Sequence, residues 1–181
     1  MGLPGSQRSV QRLVEEHYAE LYRYAYRLAG DAADAEDLTQ EAFCKAQANL
    51  AQLRDPARAR AWLFRILRNV YLHKLRAERG RPCVTCEDLS DVPDRPPGPL
   101  PPVEPERLRQ ALAELPEAFR TPIILYYFED FTYRDIAEQM DLPLGTVMSR
   151  LARAKAHLRG RLEPPVPAAV ADGRRRGTDG L

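Results

Sequence analysis

A proline-rich segment near the middle of the chain most limits what the sequence can fold into. Eight of the 16 prolines lie between residues 82 and 105. Proline lacks an amide hydrogen and its ring clashes with the preceding helical turn, so this segment cannot be a helix. We interpret residues 82–105 as an extended, semi-rigid linker. The chain of 181 residues is thereby divided into two parts, each long enough for one small domain.

The part before the linker has the hydrophobic spacing of three helices. Apolar residues recur at intervals of three and four in the segments 7–29, about 33–53 and about 57–79. Gly30 ends the first segment, and Asp55, which precedes a proline, ends the second. Asp31 or Asp34 can cap the second helix. The spacing predicts a compact helical domain over residues 7–81.

The part after the linker predicts a second helical domain, over residues 106–162. An apolar stripe begins near Glu106, and a strongly apolar run covers residues 119–128. Residues 163–181 have no apolar periodicity, and we expect them to be disordered. The predicted fold class is therefore all-α, with two small helical domains joined by the linker.

Residues 132–162 carry the motif that says most about function. Thr132, followed three residues later by Asp135, is a typical helix capping pattern. Two short helices joined by a tight turn follow, and such a motif places its second helix in the major groove of DNA. A buried apolar stripe on that helix leaves hydroxyls and guanidinium groups on the outer face. We predict that the DNA-contacting residues of this face are Thr146, Ser149, Arg150 and Arg153.

The distribution of charge favours nucleic acid as a partner more strongly than the net charge of +1 does. Acidic residues crowd the segment 31–41, whereas the segment 54–81 has nine basic residues and two acidic ones. Such segregation predicts an acidic protein contact and a phosphate-facing surface on the same molecule.

Other classes of protein find little support in the sequence. No segment has the apolar length of a signal peptide or a membrane span, so we expect a cytoplasmic protein with no membrane contact. The sequence contains no phosphate-binding loop, dinucleotide fingerprint or His-Glu metal motif, so we expect no enzyme, no catalytic residue and no cofactor.

The three cysteines are too few for a disulfide framework. Cys83 and Cys86 form half of a tetrahedral zinc site, and a metal or thiol switch remains an alternative, although we predict no metal site. We expect Cys44 to be a small buried apolar residue of its helix.

Three motifs, in this order, resemble the extracytoplasmic-function (group IV) sigma factors of bacterial RNA polymerase. They are DAEDLTQEAFCKAQANL, RAWLFRILRNVYLHKLRAERGR and LAELPEAFRTPIILYYFEDFTYRDIAEQMDLPLGTVMSRLARAKAHLRGRL. The likeness runs from about Arg8 to Leu162. It implies an initiation factor that binds core polymerase, recognises −35 and −10 promoter elements and melts the −10 region. The implied partners are the β′ clamp helices and β flap of the polymerase, promoter DNA and an anti-sigma factor.

The resemblance also implies roles for individual residues. It assigns core polymerase docking to Asp37, Leu38, Gln40, Glu41 and Phe43. It assigns recognition of −10 DNA to Arg60, Trp62, Arg65, Arg68, Asn69, His73 and Arg76. The chain departs from the family pattern at His73, where an acid is usual, and at Met148 and Ala152, where a basic residue and a histidine are usual.

Two rival interpretations remain, a stand-alone helix-turn-helix regulator and a metal- or redox-sensing protein that acts through Cys83 and Cys86. A stand-alone helix-turn-helix regulator would explain the second domain, although it would not need a basic helix with Trp62 in the first. Trp62 could itself be an ordinary core residue, and the arginines around it could be a solvated face.

Overall fold

The computed structural model describes residues 4–79 and 104–162. Within these ranges the chain is all-α, as predicted, and contains no strand. The helices are α1 Pro4–Ala29, α2 Ala32–Ala48, α3 Ala59–Arg79, α4 Pro105–Glu114, α5 Glu117–Tyr127, α6 Tyr133–Met140 and α7 Leu144–Leu162. Most of the predicted linker, the predicted tail, and Cys83 with Cys86 lie outside the described residues.

The joint between α1 and α2 follows from two local signals. Gly30 takes a φ of +80°, a conformation that costs glycine little. Asp31 then caps α2, because its carboxylate accepts hydrogen bonds from the amides of Ala33 at 2.9 Å and Asp34 at 3.1 Å. Of the two predicted caps, Asp31 is thus the one used.

The second helix is shorter than the apolar spacing predicted. It ends at Ala48 instead of near Leu53. The amide side chain of Asn49 donates to the carbonyl oxygen of Lys45 at 2.8 Å, and the chain then tightens into a 3-10 turn over Leu50–Gln52. A side chain that satisfies a carbonyl of the last turn competes with continuation of the helix, and the apolar pattern does not report this effect.

Two residues that the sequence placed in the core are exposed. Cys44 lies two positions from both Ala42 and Ala46, which are buried, and positions two apart point to opposite sides of a helix. The expectation of a buried Cys44 is therefore wrong. Tyr18 fits the intervals of three and four that predict a buried stripe in the segment 7–29, yet it is 39% exposed, and its ring stacks on those of Tyr22 and Phe43.

The helix-turn-helix forms as the sequence predicted. Thr132 and Asp135 make a reciprocal capping box at the start of α6. Asp141 takes a left-handed φ of 55° in the turn, and α7 begins three residues later. Ile136 of α6 and Val147 of α7 are fully buried and belong to the core beneath this turn.

The N-terminal half (α1–α3) and the C-terminal half (α4–α7) pack against each other. The ring centroid of Phe131, in the turn between α5 and α6, lies 5.2 Å from that of Phe64 in α3. Phe64 in turn stacks on Tyr24 of α1 at 4.8 Å. Tyr24 and Phe64 are almost fully buried. Phe64 thereby links the core of the N-terminal half to the turn between α5 and α6.

Candidate nucleic-acid interface

The second helix of the helix-turn-helix, α7, has one buried and one exposed side. Its buried residues are Val147, Leu151, Ala154, Leu158 and Leu162. Ser149 and Arg153 lie on the exposed side, as predicted, and Thr146 is half-buried. Arg150 is also half-buried, and its Nη1 lies 3.5 Å from the carbonyl oxygen of Ala118 in α5. Of the four predicted −35 residues, Ser149 and Arg153 are thus the most accessible.

A second polar surface runs along α3. Arg65, Asn69, His73 and Arg76 are all exposed. Their spacing of four, four and three residues places them in one row on a helix with 3.6 residues per turn. The structure therefore brings together four of the seven residues predicted to contact −10 DNA.

The other basic candidates of α3 are turned toward the C-terminal half. Nε of Arg60 donates to Glu20 at 2.8 Å, and Nη2 donates to the carbonyl oxygen of Glu129 at 2.8 Å. The Arg60 guanidinium also lies over the rings of Phe64 and Phe131, at 4.8 and 4.6 Å. This arginine is therefore held by both halves of the chain.

Arg68 is still less accessible, with a side chain only 14% exposed. Its Nε lies 3.4 Å from a carboxylate oxygen of Glu117 in α5, although the two atoms do not form a hydrogen bond. The same carboxylate oxygen accepts a hydrogen bond from Thr121 at 2.9 Å. Arg68 thus compensates a buried acid of the C-terminal half in this conformation.

Trp62 lines a cleft of about 620 Å³ between the two halves. The N-terminal half contributes Trp62, Arg65 and the loop before α3, and α6 contributes an acidic side that includes Glu138. Nη2 of Arg58 lies 2.6 Å from both carboxylate oxygens of Glu138. Trp62 is half-buried, so it is neither a full core residue nor freely exposed.

Glu129 is the most strongly perturbed acid at the contact between the halves. Its side chain is 3% exposed, and its carboxylate lies 2.9 Å from Nη1 of Arg27 and 3.7 Å from Nη2 of Arg60. Burial raises the pKa of Glu129 to about 7, against the effect of these two arginines and of Arg23, and nearby Glu20 adds to the rise. No sequence pattern predicts this buried position, because an acid in a turn is usually solvated.

The predicted docking residues of α2 fall into two groups. Asp37, Gln40 and Glu41 are exposed. Leu38 is 1% and Phe43 is 7% exposed, so these two belong to the core and offer little surface to a partner. The exposed ring of Tyr18, stacked on Phe43, adds an aromatic group beside these acids. Tyr18 was not among the predicted docking residues.

The remaining expectations concern metals and membranes. No group of three or more potential metal ligands occurs within the described residues. None of the described helices has the length and apolar character needed to cross a membrane.

Each half of the chain matches the family model of one region of sigma-70 proteins. Residues 13–81 match sigma-70 region 2, and residues 106–158 match sigma-70 region 4. The ECF RNA polymerase sigma factor SigL of Mycobacterium tuberculosis is 38% identical over 157 residues, which are 85% of this chain and 89% of the relative. SigE of Mycolicibacterium smegmatis is also 38% identical, over 160 residues, and the match spans 85% of this chain but only 62% of that relative.

Solved structures show the same arrangement of helices. The sigma factor RpoE, bound to the anti-sigma factor NepR from Bartonella quintana, superposes with a TM-score of 0.68 at 26% identity, over 85% of this chain and 96% of that chain. CnrH in complex with the cytosolic domain of CnrY gives a TM-score of 0.60 at 25% identity, over 85% and 87% of the two chains. Together with the two region matches, these similarities show that the chain belongs to the extracytoplasmic-function group of RNA polymerase sigma factors.

Proposed function

We propose that this sigma factor brings core RNA polymerase to promoters by contacting −35 DNA through α7 and −10 DNA through α3, and that it opens the −10 region. The observation that carries the proposal is the presence of two separate polar surfaces on one chain. One is the exposed side of α7, with Ser149 and Arg153. The other is the exposed row from Arg65 to Arg76 on α3.

The chemistry of each surface suits its proposed task. An arginine in the major groove can donate two hydrogen bonds to a guanine edge, and a serine hydroxyl can serve a base or a phosphate. Promoter opening needs cations that hold phosphates and a flat ring on which an unstacked base can rest. Arg65 and Trp62, which line the same cleft, supply groups of these two kinds.

We assign polymerase docking to the exposed side of α2, with Asp37, Gln40 and Glu41, and to the neighbouring ring of Tyr18. Acids at the rim of such a contact mainly guide association, whereas an aromatic side chain contributes buried area. An anti-sigma factor is a further proposed partner, since RpoE is bound to one in its solved structure.

The direct test is transcription in vitro with purified core polymerase and fragments of the source genome. The proposal expects transcripts that start at defined positions and depend on the added protein. If no promoter-dependent transcript appears and the protein does not comigrate with core polymerase, the assignment is wrong. DNA binding without any polymerase contact would instead support a stand-alone regulator.

Charge variants separate the proposed docking surface from the DNA surfaces. We expect reversal of Asp37 and Glu41 to lysine to weaken core binding and to leave binding of −35 DNA unchanged. Glu15→Lys with Glu16→Lys, at exposed positions of α1, is the matched control and should leave core binding unchanged. Equal core affinity of all three proteins would remove Asp37 and Glu41 from the docking surface.

For the −35 surface we propose Arg153→Ala, with Arg161→Ala as a control near the other end of the same helix. Loss of a base contact should weaken binding by about 1–3 kcal/mol and relax the preference at one base pair. Arg161 instead pairs with Glu114 at 2.7 Å. An equal loss on all DNA sequences would make Arg153 a phosphate contact instead of a reader of bases.

A further inference from the structure

The contact between the two halves has a consequence for DNA access that rests on the function proposed above. Several arginines on the −10 side of the N-terminal half are already engaged by groups of the C-terminal half. Arg58 pairs with Glu138, and Arg60 is held by Glu129. Gln139 of α6 also donates to the carbonyl oxygen of Ala61 at 2.5 Å, so α6 lies directly against the start of α3.

We propose that the C-terminal half is an intramolecular competitor of −10 DNA, with the carboxylate of Glu138 and the backbone carbonyl oxygen of Glu129 occupying the positions that phosphate oxygens take when the chain opens. A carboxylate and a phosphate are both anions that accept hydrogen bonds from arginine in a similar way. The partner that fits the surface of Arg58 and Arg60 in the packed chain is therefore the turn and helix of its own other half.

Aromatic packing gives this contact its fixed position. Phe131 contacts Phe64, and the Arg60 guanidinium lies over both rings. A guanidinium held between two rings and two oxygen acceptors cannot turn toward a phosphate without separation of the halves. Opening of the chain is thus a precondition for full use of the −10 surface, whereas Arg65, Asn69 and Arg76 are already exposed in the packed chain.

A cross-link within the full-length chain tests the proposal. Arg58→Cys and Glu138→Cys, in a background with the native cysteines replaced by serine, can be joined by a short bismaleimide. The probe is a fluorescent single-stranded oligothymidylate, because its binding does not require knowledge of the promoter. We expect the cross-linked protein to bind it at least about tenfold more weakly than the same protein without the reagent. Equal affinity of the two forms would overturn the proposal.

A second measurement uses charge variants without a cross-link. The variant Glu138→Gln should bind oligothymidylate more tightly, with a log–log salt slope steeper by about 0.7, because one freed arginine, Arg58, adds about 0.7 on single strands. Glu36→Gln is the matched control, since it removes the same charge from an exposed position of α2. An equal gain in the control would show that net charge alone is responsible and would refute the competition.

Transcription distinguishes this proposal from the proposed function. If the protein initiates at promoters and its cross-linked form is equally active, only the competition is wrong. If neither form initiates or binds DNA, the proposed function fails as well.

A second inference rests on a different observation, the apolar row on the exposed side of α7. Leu144 is 43% and Met148 is 51% exposed, and Ala152, one further turn along, is also exposed. Met148 directly precedes Ser149 and Ala152 directly precedes Arg153, so this apolar row lies beside the polar row on the surface of α7. The surface proposed for the major groove therefore has an apolar edge next to its polar one.

We infer that Met148 and Leu144 contact thymine methyl groups in the −35 element. Thymine is the base that presents a methyl group in the major groove, and apolar side chains read it by contact. The inference deepens the proposed role of α7 by naming the class of base that this edge selects.

Replacement of thymine by deoxyuridine isolates the methyl group, because the hydrogen-bonding edges stay the same. After transcript mapping has defined the −35 sequence, each thymine is replaced in turn. We expect about a fourfold loss of affinity at one or more positions, the effect of one buried methyl-sized group. The loss should disappear in Met148→Ala or Leu144→Ala and persist in Ala156→Ser, a half-buried position of the same helix.

Two outcomes would overturn the inference about the methyl group. One is tight −35 binding without any effect of deoxyuridine, and the other is an effect of the same size in the wild-type protein and in both apolar variants. Absence of all sequence-specific −35 binding would overturn the proposed role of α7 together with this inference.

Discussion

Arg120 offers the sharpest test of how the two halves are held together. It is 8% exposed and donates five hydrogen bonds to four acceptors. Two acceptors belong to the N-terminal half, the carbonyl oxygen of Leu28 at 2.8 Å and the hydroxyl of Tyr71 at 3.1 Å. The others are the carbonyl oxygens of Ala113 and Leu115 in its own half. Replacement by methionine keeps much of the volume and removes every donor.

The size of the expected effect follows from these contacts. A hydrogen bond to a charged group contributes about 1.5–3 kcal/mol, so simple addition of five would give roughly 7–15 kcal/mol. That sum is too large, because the five bonds share one group and are not independent. We therefore expect Arg120→Met to lower the free energy of unfolding by about 3–5 kcal/mol, the loss typical of removing one partner from a buried charged network.

Arg109 provides a matched control. It donates to the carbonyl oxygen of Gly30 at 3.0 Å, only two residues from the carbonyl that Arg120 contacts, but its side chain is 35% exposed. Water can replace that contact, so Arg109→Met should cost much less stability than Arg120→Met. Both variants are measured by urea unfolding, with the slope of the transition checked for two-state behaviour.

A double-mutant cycle then isolates the free energy contributed by the contact between Arg120 and Tyr71, which lie in different halves. Tyr71→Phe removes the hydroxyl that accepts from Arg120 and donates to Leu28 at 3.0 Å. Residues in direct contact usually show coupling of about 0.5–3 kcal/mol. An Arg120→Met protein as stable as Arg109→Met, or a cycle without coupling, would refute the view that this network holds the halves together.

Three further predictions concern other parts of the structure. The pKa of Glu129 is raised to about 7 in the packed chain and should be ordinary in an open one, so the packed form is favoured at low pH and loses stability as the pH rises toward about 7. X-ray scattering at increasing pH should therefore show expansion of the chain, and Glu129→Gln should flatten the dependence of the radius of gyration on pH. Cys44 should react with a maleimide in the native protein, whereas Ala42→Cys should not, as measured by peptide mass spectrometry. Lys74→Met should change stability by less than about 1 kcal/mol in urea unfolding, since the Lys74–Asp34 pair is partly exposed.

Local chemistry explains which parts of the fold were predictable. The cap at Asp31 and the capping box of Thr132 depend on residues within one turn of each other. The capping box was predicted, and the cap of α2 was narrowed to Asp31 or Asp34. The exposed positions of Ser149 and Arg153 follow from helical spacing alone. The early end of α2 was missed, because it depends on the side chain of Asn49 and not on the apolar pattern.

The features that could not be predicted depend on contacts between residues that are far apart in the sequence. Phe64 contacts Tyr24 of α1 and Phe131 of the C-terminal half, which is 67 residues further along the chain than Phe64. The buried acids Glu117 and Glu129 face arginines of the other half, so their partners also lie beyond any local pattern. The residues of the −10 surface could be proposed from the sequence, but the acids that engage them in the packed chain could not.

The packed contact combines two kinds of interaction, and this combination allows it to open. The pair of Arg58 and Glu138, with side chains 60% and 57% exposed, contributes little net stability and weakens with salt. Arg120 and the Phe64–Phe131 contact are buried and fix the geometry. If the packed form predominates by about a hundredfold, polymerase that binds only the open form has an apparent affinity reduced by the same factor. Salt acting on Arg58 and pH acting on Glu129 would then change polymerase affinity without altering any residue that the polymerase touches.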